Sequence, residues 1–228
     1  MLGTDAARSK ASGKARGSGG PRAPAAIAIA LGAFVLAGLL AGAAVGAGKE
    51  PEVLAFEHLQ RQMFRDEAPR VYAPISFALF LSLPELPIRT MPDLVAIDEM
   101  ERQAVSLTGY VVRVLPVPTR LAGHRPTEYN FQVHLRPASV GRCLIEDSPR
   151  DIVTVVTPAF QPPRTTWELD QLRLLCERQD KVRISGWLLY DYLSRQGVGR
   201  WRASAWAIHP VTRIEIWNAP DRSWENLS

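Results

Sequence analysis

The sequence predicts a mainly β domain over residues 104–217, a five-stranded Greek-key barrel of the OB type, preceded by an N-terminal transmembrane helix. Three observations carry that expectation. Strand-like segments and one helix follow in the order β-β-β-α-β-β. The first strand segment, Val105 to Val117, is long and has Gly109 in its middle, where a glycine marks a bend or bulge. An uncharged stretch, Pro24 to Gly48, lies upstream, and about 20 apolar residues cross a bilayer core.

The chain has 228 residues, 46% hydrophobic and 22% charged, which is globular composition. Four Lys accompany 23 Arg amid abundant Ala, Gly and Pro, a usage that fits a GC-rich bacterial genome. Residues 1–23 carry Arg8, Lys10, Lys14, Arg16 and Arg22 against Asp5. The formal charge of +4 therefore sits in this tail, and the rest is balanced. The alkaline character says little about a nucleic-acid partner. The tail is rich in Gly, Ser and basic residues and reads as disordered.

Residues 24–48 read as a signal anchor. The basic tail before them places the N-terminus in the cytoplasm and the remainder outside, in a bacterial inner membrane. The alternative is a secreted protein, released by cleavage near the small residues Val45-Gly46-Ala47. The apolar run exceeds the roughly 7–15 residues of a signal peptide's hydrophobic region. Gly38, Gly42 and Gly46 recur every four residues, the small-residue spacing of a helix-mediated dimer, or else a chance product of an Ala/Gly-rich span.

Residues 49–103 form a linker or packing segment, with 6 basic and 10 acidic residues. A short helix is expected around Val53 to Phe64. Ile75 to Pro92 is apolar but interrupted by Pro84 and Pro87, so it reads as extended chain or a short helix. Pro92 and Asp93 start a further helix, with Leu94, Ile97 and Met100 spaced three apart.

In the domain, Tyr129, Phe131, Val133 and Leu135 alternate with Asn130, Gln132, His134 and Arg136, which puts His134 toward solvent or a groove. Asp151 to Phe160 is a third strand. Thr165 and Glu168 have capping-box spacing before a helix whose stripe is Leu169, Leu172, Leu175 and Cys176. Val182, Ile184, Gly186, Leu188 and Tyr190 alternate in the fourth strand. The fifth runs from about Arg200 to Trp217, and residues 218–228 are left as a C-terminal tail. His209-Pro210 lies inside this last strand. Proline lacks an amide donor, so the pair marks a structural bend, with His209 hydrogen-bonding it.

The run "VRISGWLLYDY" followed by "WAIHPVTRIEIW" resembles the last two strands of a family of bacterial proteins of unknown function with an OB-like domain. They share a C-terminal His-Pro-Val strand motif. "YNFQVHLRPAS…CLIEDSP" is similar to their second strand and the segment after it. The resemblance spans about residues 105–217 and implies the fold but no activity. Leu144-Ile145-Glu146-Asp147 departs from the family's Ile-x-Glu-Ile-Pro.

Cys143 and Cys176 stand 33 residues apart. Outside the cytoplasm they can form a disulfide; otherwise they are two buried thiols. No nucleophile elbow, P-loop, HExxH or dinucleotide fingerprint occurs, so no catalytic residue, metal or cofactor is assigned. His124, His134 and His209 have no spacing that demands zinc, and His124 sits in a polar loop. Glu146, Asp147 and Asp151 read as a solvated acidic loop.

Binding is the better-supported class. Residues 104–217 hold 15 basic and 10 acidic residues. Lys181, Arg183, Ser185 and Trp187 share one face of the fourth strand, and Arg202, Ser204 and Trp206 make a similar row on the fifth. Cations interleaved with aromatics suit single-stranded nucleic acid or glycan. The same residues would also serve an envelope protein partner, or pack against residues 49–103. Arg183, Trp187, Arg202 and Trp206 are the candidate binding residues. The expected role is a membrane-anchored binding or assembly module; an exported nuclease-like hydrolase and a structural envelope protein are the alternatives.

Overall fold

The computed structural model describes residues 51–65, 67–118, 129–157 and 167–227. The anchor at 24–48, its glycine stripe, the basic tail, His124 and Thr165 all lie outside the described residues. No helix among the described residues is long and apolar enough to cross a membrane.

The fold is mainly β, built on one mixed sheet of seven strands. A helical arm comes first: α1 (Pro51–Met63), a short strand β1 (Ala73–Ile75), α2 (Phe77–Leu81) and α3 (Met91–Glu101). Then follow β2 (Ala104–Pro118), β3 (Tyr129–Arg136), β4 (Ile152–Val156), α4 (Leu169–Glu177), β5 (Lys181–Tyr190), a 3₁₀ turn (Tyr192–Gly197), β6 (Trp206–Asn218) and β7 (Ser223–Asn226). Between β2 and β6 the order is the expected β-β-β-α-β-β. The pairings run β2–β3–β4–β6–β5, and β5 pairs again with β2. Four of these contacts are antiparallel; β4 and β6 run parallel, joined at Thr154 and Ile208.

Strand β2 serves three partners. Ala104 to Tyr110 pair with β5, Val105 to Leu107 also pair with β1, and Tyr110 to Pro118 pair with β3. The handover falls at Gly109–Tyr110. A Cβ on Gly109 would lie 2.6 Å from the Arg136 carbonyl oxygen and 2.9 Å from the Phe77 ring, so close approach requires glycine there. The register slip itself comes two residues later, between Val111 and Arg113.

Gly186 has the same reason. A Cβ there would meet the Pro210 carbonyl oxygen at 2.2 Å and Val211 Cα at 3.0 Å. The β5–β6 register shifts at this point, and the His209–Pro210 peptide is cis. The core inside the sheet contains Val105, Leu107, Val133, Leu135, Val182, Ile184, Leu188, Ile208 and Ile214. From α4, Leu172, Leu175 and Cys176 complete it.

Three elements differ from expectation at their ends. Helix α4 starts later, with Glu168 as N-cap, whose amide donates to the Gln171 side-chain oxygen at 3.0 Å. The last strand begins at Trp206 because Arg200–Trp201 lie in a turn. The expected tail instead turns through Asn218, whose side-chain amide donates to Asp221 at 2.8 Å, and returns as β7.

The loop after β3 is fixed to α4. Cys143 and Cys176 are joined in a disulfide, with Cα atoms 5.4 Å apart. Gln179, at φ 55°, accepts from the amides of Val140 and Gly141 at 3.0 Å each. Its own amide donates to the Cys176 carbonyl at 2.7 Å.

Two stability outcomes follow. Gly186→Ala forces a methyl against backbone and should lower unfolding stability by about 1–3 kcal/mol, read from urea midpoints; an unchanged midpoint would refute the close approach. Reducing the bridge opens a loop of 33 residues and should cost about 3–4 kcal/mol in urea titrations with and without dithiothreitol. Coincident curves would show that Gln179 holds the loop unaided.

Candidate functional site

The outer face of β5, β6 and β7 carries the candidate site. Alternation along β5 puts Val182, Ile184 and Leu188 inside, so Lys181, Arg183 and Trp187 stand outside. Register sets Arg183 opposite Glu215, and Trp217 opposite Trp224. The Arg183 guanidinium is bidentate on Glu215, with Nε donating to Oε2 at 2.6 Å and Nη2 donating to Oε1. That clamp holds it 4.6 Å from the Trp224 ring centroid. Trp224 meets Trp217 edge to face, centroids 5.2 Å apart, and Lys181 Nζ lies 5.8 Å from the Trp217 ring. Lys181 is exposed and the other three are half-buried. The result is a short ladder in which two indoles in edge-to-face contact, Trp217 and Trp224, are flanked by one cation each, Lys181 and Arg183.

Trp187 belongs to a different surface. Its Nε1 donates to the Glu67 carbonyl at 3.0 Å, and the Arg65 guanidinium lies 4.8 Å from its ring. A cleft of about 400 Å³ opens beside it, lined by Gln62, Arg65, Glu67, Asp98, Arg102 and Trp187. The helical arm thus covers this end of β5.

The other two candidate binding residues are inside the protein. Arg202 and Trp206 are both 0% exposed. The expected surface row fails because Arg202 precedes β6 and folds back under it. Its Nε donates to the Ser204 carbonyl at 2.6 Å, Nη2 to the Ala205 and Trp206 carbonyls at 3.2 and 3.1 Å, and Nη1 to Asp191 at 2.8 Å. Burial pushes its pKa below the ordinary value and Asp191 opposes that shift. Trp206 donates its indole N–H to the Pro84 carbonyl at 2.8 Å and packs on Tyr190. Both are structural.

The described histidines are scattered. His134 is buried, not solvent-facing, and its Nδ1 lies 3.4 Å from Asp151 Oδ2. Asp151 is also buried, so the acidic loop is not wholly solvated. Burial raises the Asp151 pKa, but the His134 ring and Arg136, whose Nε donates at 2.6 Å, outweigh it and leave the carboxyl below its ordinary value. Glu146 and Asp147 are exposed; Asp147 pairs with Arg113. His58 donates to Glu101 at 2.6 Å across the arm. Among the described residues no three or more His, Cys, Asp or Glu side chains are grouped to hold a metal.

Trp224 was missed because residues 218–228 read as a tail. The signal that would have found it is Asn218-Ala219-Pro220-Asp221, a turn sequence followed by the short strand around Trp224. No family model and no curated protein matches the chain.

His209 Nε2 and Thr157 Oγ1 lie 2.9 Å apart, a hydrogen bond buried in the protein. Burial lowers its pKa to about 4 from 6.5, against a weaker opposite pull from Asp191. Between those values the unfolded chain binds the proton and the folded one does not. Stability is therefore full above about pH 6.5 and is lost as pH falls toward 4, by about 3 kcal/mol at most. A His209→Gln variant should show a flatter melting-temperature profile than the parent across that window. Parallel profiles would refute the assignment.

Proposed function

We propose that this protein is a single-pass, N-in anchored module whose OB-like barrel lies outside the cytoplasm and binds an envelope protein through the Lys181–Arg183–Trp217–Trp224 face. The observation that carries this reading is the ladder itself. Trp and Arg dominate protein–protein hot spots, and side chains already held in one geometry lose little entropy on binding. The clamp on Glu215 and the stacking on Trp224 supply that preorganisation. They also occupy the ring face and the guanidinium that a nucleobase or sugar would need.

The barrel reading is supported by the circuit of five strands through β2, with α4 between β4 and β5 and the parallel β4–β6 contact. It agrees with the family resemblance over residues 105–217. Short strands β1 and β7 would then be additions to its rim. The anchor reading is supported by the uncharged run 24–48 behind a basic tail. An exported hydrolase finds less support, because the buried ionisable groups Glu101, Asp151 and Arg202 are engaged at junctions of the fold. A structural envelope protein is the second reading, favoured by the arm's cover over Trp187.

The test is photo-crosslinking from position 224 of the full membrane-embedded chain. The expected result is a reproducible protein adduct whose capture falls about thirtyfold in a Trp217→Ala variant, as for a hot-spot residue. No adduct would favour the structural reading, and metal-dependent hydrolysis by the same preparation would favour the enzyme. Cleavage of the domain by protease added to spheroplasts is expected, and protection there would overturn the topology.

A further inference from the structure

Seven of the eleven exposed large hydrophobic side chains among the described residues fall between 51 and 103. They lie in the part of the chain that directly follows the apolar run. The foremost are Val53 and Phe56, on α1, 47% and 42% exposed. They are turned about 110° around the helix from Ala55 and Leu59, which are buried at 1% and 2%. Helix α1 is thus apolar toward the domain and apolar again on part of its outer side.

Chain length says what the outer side meets. Only Lys49 and Glu50 separate Gly48 from Pro51, the first residue of α1. Three Cα steps reach at most about 11 Å. The polar region on each side of a bilayer core is roughly 5–8 Å deep. A helix that starts within about 11 Å of the hydrocarbon boundary begins in the headgroup layer or just beyond it, so its first turns can reach that layer.

We infer that α1 is an interfacial helix, with Val53 and Phe56 seated in the lipid headgroup and upper acyl region. The inference rests on the reading of residues 24–48 as an uncleaved membrane span. The seat is apolar, not electrostatic: the segment 49–103 carries 10 acidic against 6 basic residues, which disfavours attraction to anionic lipid. Interfacial helices bury such a face by about 5–10 Å.

The seating fixes the whole domain. His58 of α1 donates to Glu101 at 2.6 Å, and Gln62 donates to Asp98 at 3.4 Å. Glu101, at 0% exposure, accepts the Tyr190 amide of β5 at 2.8 Å through its other oxygen. One carboxylate therefore ties α1 to α3 and to the sheet. With α1 held at the bilayer, the domain is displayed in one orientation instead of swinging on a tether.

The test uses the full chain in nanodiscs of phosphatidylcholine and phosphatidylglycerol, with an environment-sensitive fluorophore on a single introduced cysteine. Val53→Cys and Phe56→Cys probe the seat, Ile145→Cys is an exposed apolar control far along the sequence, and Leu36→Cys probes the span. With a shallow spin-labelled lipid, positions 53 and 56 are expected to lose most of their emission and position 145 none, with no change in high salt. Equal emission at 53, 56 and 145 would overturn the inference. So would a blue-shifted but unquenched label at 53 and 56, which would assign the face to a second copy or another protein. Leu36, read with a deep spin label, separates the two claims. Quenching there without quenching at 53 and 56 leaves the span intact and removes the seat. Its absence, with protein lost from the nanodisc, removes the span.

Discussion

Strand β2 must satisfy hydrogen-bonding groups along both of its edges, and the architecture depends on that constraint. Its 15 residues offer one edge to β5 over Ala104 to Tyr110 and the other to β1 and then β3. A shorter strand could not reach both β3 and β5, and the circuit through β4 and β6 would stay open. An open circuit would leave β2 or β5 with unpaired amides, which are costly when buried. Gly109 matters because the handover between partners brings the Arg136 carbonyl too near for any side chain. Gly186 does the same where β6 passes through His209 and Pro210. The two glycines mark two places where strands must bend to stay paired.

Three buried ionisable groups, Glu101, Asp151 and Arg202, sit where irregular segments join the sheet. Glu101 joins the helical arm to β5, Arg202 ties the turn before β6 to Asp191 and three carbonyls, and Asp151 joins Arg136 and the chain before β4. Ala203 also donates its amide to the Asp151 carbonyl at 2.8 Å. Glu101 and Arg202 sit where backbone would otherwise lack a partner. Removing one member of such a set leaves a buried charge uncompensated, so each acts as a positional lock more than as a source of net stability. Among the described residues that placement spreads Glu101, Asp151 and Arg202 over separate junctions of the fold.

The same placement sets what the sequence could reveal. Strand order and the inward residues of β2, β3 and β5 were legible, because alternation reports which face is buried by the sheet itself. Helix α3 was legible from Pro92, Asp93 and the spacing of Leu94, Ile97 and Met100, whereas the α2 segment read as either extended chain or a short helix. Alternation is blind to a second layer. It set His134 opposite the core, correctly, but could not show that Asp151 and its neighbours cover that side. It counted Arg202 as a strand residue because Arg200 to Ala203 carry no strong turn signal, although Gly199, at φ 77°, opens the turn that holds Arg200 and Trp201. Of the candidate binding residues, only Arg183 remains on the proposed face. Trp187 is shared with the arm, and Trp217 and Trp224 had to come from the register of β7.

The basic excess of the domain is where these threads meet. Fifteen basic residues against ten acidic suggested a groove for phosphates. Among the described residues six of those arginines hold carboxylates: Arg113, Arg136, Arg173, Arg178, Arg183 and Arg202. At those six a phosphate would have to displace a carboxylate already in place, and at Arg202 it would also have to enter the core. For Arg183 the exchange would free the guanidinium from Trp224 as well, losing the stacked contact. A protein surface makes no such demand. It can lie against the edges of Trp217 and Trp224 and leave the Arg183–Glu215 clamp untouched, and this difference in cost directs the proposed partner toward protein.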